Sequence, residues 1–399
     1  MSHRMHSSNR IVIVGGGISG LSIAVRLAQA GLPVTVLEAS RLGMGASTRN
    51  QGWLYSGAWF APEQPELARM CYESHQQTLG FCPECLEPNS GRMVYLITDA
   101  QTDGNRWTSA WEATEIPYDD LTPAELFERF PELAISQARQ AFELPDRAMR
   151  VDVLLRRLAE AAEKAGAEIR SETFVEELIH QEGSVQGVRT GRRETLFARL
   201  VILAGNAKGG ALFPGFGVET VGEQSDVALV VLKTHLVAVR PEISRWPLCV
   251  VDADGFNHVP HSPNSVFGSN RWLPVRHGED EQQMPSELVH LWEKINRFFP
   301  DVHREDHSVI EWAGNTVQAM HVDQIEPGRA PLPTVVDHEC ENPGVKNLLS
   351  VFPGRASLWP HLAEQTQQLV LQKLEATQPV IAKPPWGSLA VPPSGRGVV

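Results

Sequence analysis

Gly15, Gly17 and Gly20 stand at the spacing of a turn that holds a diphosphate, and Glu38 follows where a ribose-binding acid belongs. Gly15 lets the chain leave a strand sharply. Gly17 removes a side chain where phosphate oxygens must reach the backbone, and Gly20 lets a helix pack close to a sheet. The Glu38 carboxylate suits the two hydroxyls of an adenosine ribose. The elements that must position these residues are legible around them. Ile11-Val-Ile-Val14 reads as a buried parallel strand. Ile18, Leu21, Ala24, Val25 and Ala28 recur at helical spacing to about Ala30, and Gly31 is a good stop. Val34 to Leu37 makes a second strand that ends at the acid. One unit of about thirty residues therefore predicts a dinucleotide site at Gly15, Gly17, Ile18, Ser19, Gly20 and Glu38, with Ala39 and Ser40 just beyond.

A second stretch, Gly45-Ala-Ser-Thr-Arg-Asn-Gln-Gly52, offers small residues for close backbone contact and donors for a charged phosphate pair in Ser47, Thr48 and Arg49. With Arg199 to Asn206, an apolar strand running into Ala-Gly, and Val351 to His361 before a helical pattern, it resembles the FAD-dependent oxidoreductases of the D-amino-acid oxidase superfamily. That superfamily includes glycine oxidase, sarcosine oxidase and glycerol-3-phosphate dehydrogenase. The wording Arg49 to Gly57, and again Cys85 to Gly91, is most similar to the glycerol-3-phosphate dehydrogenase branch.

The resemblance implies an α/β chain: an FAD-binding Rossmann-like domain of the glutathione-reductase type, with a second α+β substrate domain built on an antiparallel sheet. It places residues 1–92, 148–225 and 320–377 in the first and 93–147 and 226–319 in the second. The Pro-rich stretch 378–399 is expected to be a disordered tail. It also implies FAD as cofactor. Ala46, Ser47, Arg49, Asn50, Gln51 and Gly52 would wrap the pyrophosphate and the ring. Phe174 and Val175 would meet adenine, Ala204 and Gly205 would pass beside the flavin, and Gly354, Arg355, Ala356, Ser357 and Leu358 would cap it.

The local patterns between these segments are simple. Helices are expected at Glu66 to Gly80, after the N-cap Thr122, over Val151 to Lys164 and over Pro285 to Phe299. Strands are expected at Gly91 to Thr98, Glu168 to Arg170 and Val227 to Val239.

Composition excludes several classes. A chain of 399 residues, 42% hydrophobic, is large enough for two domains sharing a core. Its net charge of −13 disfavours nucleic acid, whose phosphates need a basic surface. No apolar run suffices for a transmembrane segment, and Met1 to Asn9 lacks the apolar core of a secretory signal, so the expected location is cytoplasmic. Five cysteines fit a reducing compartment. Cys82 and Cys85 have CxxC spacing without a second pair, so incidental thiols are expected, with no metal site. No cysteine is marked for flavin attachment, so a noncovalent flavin is expected. Oligomeric state is left open.

For the chemistry, histidine is the natural base near neutral pH, which makes His235 and His258 candidates, with His261 nearby. Arginine forks a carboxylate or phosphate, which points to Arg49, Arg271 and Arg355, with Arg329 as a substitute. Trp53, Tyr55 and Trp59 alternate after the flavin loop as a candidate aromatic wall of the substrate pocket. The Gly-x-Arg-Pro phosphate pattern of glycerol-3-phosphate dehydrogenases is missing, and Trp312 to Gln318 stands in its place. The leading expectation is hydride transfer from a C–N or C–O carbon of a small amino or hydroxy acid to flavin, reoxidised by oxygen or a carrier. The alternatives are a polyol-phosphate or 2-hydroxy-acid dehydrogenase feeding quinone, and a tailoring enzyme of secondary metabolism with a bulky substrate.

Overall fold

Ile11–Val14 has two apolar faces, and each meets a different layer. In the computed structural model, which describes residues 9–205, 227–275, 282–321, 332–340 and 344–374, this strand is central to a six-stranded sheet. The spatial order is Thr334–Asp337, Leu348–Phe352, Leu200–Leu203, Ile11–Val14, Val34–Leu37 and Glu168–Arg170. Neighbours run parallel, except that the edge strand Thr334–Asp337 is antiparallel to Leu348–Phe352. Alternation decides what each residue touches. Ile11 and Ile13 face the helices Ile18–Gln29, Val151–Lys164 and Trp359–Lys373. Val12 and Val14 face a three-stranded antiparallel meander of Val175–Gln181, Ser184–Thr190 and Thr195–Phe197.

The helix Val151–Lys164 has the expected bounds. Leu154, Leu155 and Leu158 are buried, while Arg156, Arg157, Glu160 and Glu163 face solvent. Leu158 is fully buried among the residues that join this helix to Ile18–Gln29. We expect Leu158→Ala to cost about 3 kcal/mol, read from the midpoint of urea unfolding with flavin bound.

The second sheet has nine strands. Its order is Leu273–Val275, Val227–Arg240, Asn264–Gly268, Phe256–His261, Leu248–Val250, Met93–Ile97, Gln140–Leu144 and Asp119–Asp120, and Ser308–His321 pairs along Val227–Arg240. It is antiparallel apart from one parallel pair, Leu248–Val250 with Met93–Ile97. The chain passes through the other sheet between those two strands, so no hairpin fixes their relative direction. The helix Pro285–Phe298 covers one face through Leu288, Leu291, Ile295 and Phe298.

The expected N-cap at Thr122 is present. Its hydroxyl accepts from the Glu125 backbone, and Glu125 reaches back to complete a capping box. Cys82 and Cys85 are buried free thiols. Among the described residues no cluster of His, Cys, Asp and Glu suits a metal, and no helix is long and apolar enough to cross a membrane. The stretch 378–399, Arg329 and Asn206 lie outside the described residues.

Candidate functional site

A cavity of about 1350 Å³ opens at the carboxyl ends of Ile11–Val14 and Val34–Leu37 and reaches the nine-stranded sheet. Crevices at strand ends are where open α/β sheets hold ligands. Its narrow arm is the glycine turn. Gly15 has φ of +118°, and a Cβ there would sit 2.7 Å from the Ala204 carbonyl oxygen. The helix Ile18–Gln29 begins at Gly17 with no side-chain cap, so its positive end is offered to the cavity. The Glu38 carboxylate is fixed from both sides: Gly16 N–H donates to one oxygen at 2.8 Å and Ser40 N–H to the other at 3.0 Å.

The loop after the second strand is tied to this turn. Ile18 N–H donates to Ser47 Oγ at 3.1 Å. Asn50 closes the loop on itself, donating to the Ser47 carbonyl at 2.6 Å and accepting from Gly52 N–H at 2.7 Å. Gln51 donates to the Val266 carbonyl at 3.1 Å, and its own carbonyl accepts from His261 Nε2 at 2.8 Å. Phe174 and Val175 line the far end of the arm, and Ala204, Gly205, Gly354, Ala356 and Ser357 line its middle.

The wide end is aromatic. Trp53 stacks on Tyr55 with centroids 4.2 Å apart and planes at 12°. Beneath them lies Asp146, a fully buried carboxylate that accepts from Trp53 Nε1 at 2.8 Å, from Ser56 N–H at 3.0 Å and from Ser56 Oγ. Burial pushes the Asp146 carboxyl up, and the Ser56 and Trp53 donors oppose that shift. Tyr55 donates its phenol hydrogen to Asn270 Oδ1 at 3.1 Å, and burial keeps that phenol protonated by pushing it up.

Arg355 sits inside this aromatic cage. Its guanidinium carbon is 4.9 Å from the Phe60 ring centre, 5.2 Å from Tyr55 and 5.5 Å from Trp272. Such contacts hold a cation without neutralising it. The other charges around the wide end are matched: Arg106 with Glu63, Arg271 with Glu287 at 3.3 Å, and Asp254 with Lys294 at 2.7 Å. Among the described lining residues, Arg355 is the arginine with no carboxylate in ion-pair reach.

A model of the DAO family, described as FAD dependent oxidoreductase, matches residues 10–348. The chain belongs to that family. Over 393 residues it is 26% identical to a subunit of the anaerobic glycerol-3-phosphate dehydrogenase of Escherichia coli, covering 95% of this chain and 70% of that one. Over 226 residues it is 29% identical to the glycine oxidase of Pseudomonas aeruginosa, covering 53% and 59%. Glycine oxidase from Geobacillus kaustophilus shares the fold, with a TM-score of 0.70 at 23% identity over 92% of this chain and 95% of that one.

FAD is the cofactor of the DAO family, and the residues fit it. A Cβ at Gly17 would fill the cradle, 2.9 Å from Ser47 Oγ. Ser357 Oγ is buried at the cavity wall without a partner, which a bound ring system would supply.

Two expected bases fall outside the DAO-family cavity. On Val227–Arg240 the even residues Val230, Leu232, Thr234 and Leu236 face the cavity, so His235 points the other way. It accepts from Met284 N–H at 2.9 Å, and burial lowers its pKa. His258 is fully buried behind the sheet, bonded to the Trp246 carbonyl at 3.0 Å and Ser265 Oγ at 2.7 Å, and burial pushes it down to about 3. Neither lines the cavity.

Arg49 also falls outside. The Asn50-locked turn leaves it exposed, and its carbonyl accepts from Trp312 Nε1 at 2.9 Å. Gly20, Gly52 and Leu358 sit behind the lining and act through packing. Thr48, whose hydroxyl donates to the Gly43 carbonyl, and His261, on the Gln51 carbonyl, are also outside the lining; the other described residues expected at the site line the cavity, Arg271 among them but paired to Glu287. Phe60, Asn270, Trp272 and Asp146 were not foreseen. The first three adjoin singled-out residues, Trp59 and Arg271, and were within reach. Asp146 has no sequence signal.

Proposed function

We propose that this FAD-dependent oxidoreductase acts on a small anionic substrate, an amino or hydroxy acid whose carboxylate is forked by Arg355. The observation that carries this is the unmatched cation in an aromatic cage whose neighbouring charges are all matched. Glycine and glycerol 3-phosphate, after which two relatives are named, each carry an anionic group, a carboxylate in one and a phosphate in the other. We assign residues 1–92, 148–225 and 320–377 to holding FAD and residues 93–147 and 226–319 to covering the substrate. Within the first, Glu38 would take the adenosine ribose, Gly15 to Ser19 with Ser47 the diphosphate, Phe174 and Val175 the adenine, and Gln51, Ala204, Gly205 and Gly354 to Ser357 the ring.

When bound, FAD supplies an acceptor for the hydride that leaves the substrate carbon. Arg355 fixes the carboxylate, and the Tyr55 hydroxyl accepts from the guanidinium at 3.4 Å and steadies it. Trp53, Phe60 and Trp272 keep water from the reacting carbon. The described lining contains carboxylates, arginines and Tyr55 but no histidine, which suits an amine more than an alcohol. An amine arriving neutral drives hydride loss with its own lone pair and becomes an iminium ion, which can release its proton to water afterwards, whereas an alcohol must give a proton to a base as the hydride leaves. Oxygen or a diffusible carrier would take the electrons, with quinone as the second reading.

The test is anaerobic titration of the purified yellow protein with amino acids and their matching hydroxy acids. We expect flavin absorbance to bleach with one or more amino acids, faster than with the hydroxy partner. Bleaching by neutral amines or polyols alone, with no anion effective, would overturn the assignment.

A further inference from the structure

We infer that the substrate carries a flat, uncharged distal group that lies on a tryptophan annex formed by Trp59 and Trp107. This rests on the anionic-substrate reading and names the other end of the same molecule. The cavity of about 1350 Å³ takes FAD along its glycine-turn arm and leaves its aromatic end for the substrate. Besides the residues assigned to FAD and the Arg355 cage, the lining of that end includes Trp59 and Trp107.

The annex is built rather than incidental. Trp107 rides on the helix Gly104–Ala113, whose start is fixed by Asp103 accepting from Asn105 N–H. Its ring lies 5.8 Å from Trp59 at 45°, and 6.0 Å from Trp111 behind it. Trp111 is buried and donates to the Ala58 carbonyl at 3.0 Å, which locks the row to the segment that carries Trp59. A Cβ at Gly255 would fall 2.7 Å from the Trp59 ring, so that ring rests directly on backbone.

Charge settles the class of ligand. Glu63 and Arg106 at the annex rim are bound to each other, and Asp254 is bound to Lys294. Each pair sums to no net charge, so the rim favours a neutral distal group over a charged one. Two tilted indoles present wide π faces, which favour a flat ring offset-stacked or edge-on. A substrate with a carboxylate at one end and an aromatic ring at the other satisfies both ends at once.

The experiment uses the holoenzyme and three non-oxidisable probes: acetate, phenylacetate and indole-3-acetate. Affinity is read by isothermal titration calorimetry, so no turnover is needed. We expect indole-3-acetate to bind at least about tenfold tighter than acetate, with phenylacetate between them. Trp59→Ala and the milder Trp107→Phe should each shrink that ratio while leaving acetate affinity unchanged. Equal affinity for all three acids in the parent protein overturns the annex, and so does a ratio untouched by both variants. If no acid binds, the anion reading itself has failed and takes the annex with it. If acetate binds and loses affinity in Arg355→Ala, but ring size is ignored, only the annex fails.

Discussion

Gly20→Ala is expected to yield a colourless protein. The new Cβ would lie 1.9 Å from the Gly15 carbonyl oxygen, 3.1 Å from its carbon and 3.3 Å from Ile13 Cγ2. That oxygen belongs to the backbone and has nowhere to go. Gly15 is itself held at φ +118° with Ala204 and Gly205 packed against it, and its N–H donates to the Leu37 carbonyl at 2.8 Å. The helix Ile18–Gln29 must therefore lift away from Ile11–Val14. That movement separates the uncapped helix start from Ser47 and Glu38, which together form the narrow arm. We expect flavin affinity to fall by about 100-fold or more, measured as the flavin-to-protein absorbance ratio after gel filtration. Gly191→Ala is the matched control. Its Cβ would meet Phe174 at an ordinary 3.6 Å, so flavin should be retained. A yellow Gly20→Ala protein would show that the glycine turn does not set the cofactor site.

The parts of this molecule governed by local rules were legible in the sequence. The glycine turn, the amphipathic helix Val151–Lys164 and the Thr122 cap depend on neighbours within a few residues, and spacing alone reports them. The fold class came from the family resemblance that the glycine turn and the flavin-loop motifs carry. What sequence hid was parity and pairing. His235 lies on the strand expected to border the substrate pocket, but one residue of register separates the cavity face from the helix-covered face. His258 is drawn into the opposite layer by Phe267 and Phe299. Arg271 and Arg355 look equivalent as residue types. Only the fold reveals that Glu287, from a helix outside the strand order, neutralises one and leaves the other. Asp146 shows the same limit more strongly: its partners Trp53, Ser56 and Tyr95 lie far away in the chain.

That difference between the two arginines yields the other large effect. Arg355→Ala should lower kcat/KM for the best anionic substrate roughly 100-fold, about 2.7 kcal/mol at tenfold per 1.36 kcal/mol. The cation grips the carboxylate in ground and transition states alike, so the loss should fall more on KM than on kcat. Arg355→Lys restores charge but not the planar fork, so it should recover only part of the deficit. Stability should hold, because no carboxylate partner of Arg355 is left buried and unpaired when the cation goes. Tyr55 and Phe60 of its aromatic cage stay anchored through Trp53 and Asp146. Flavin content should also hold, which separates this variant from Gly20→Ala. By contrast, Arg271→Ala orphans the largely buried Glu287, so it should reduce thermal stability before it reduces substrate affinity. Steady-state kinetics with flavin content and Tm measured on the same samples distinguish the two arginines. An Arg355→Ala enzyme with unchanged KM would mean that the substrate's anion, if it has one, is bound elsewhere in the cavity.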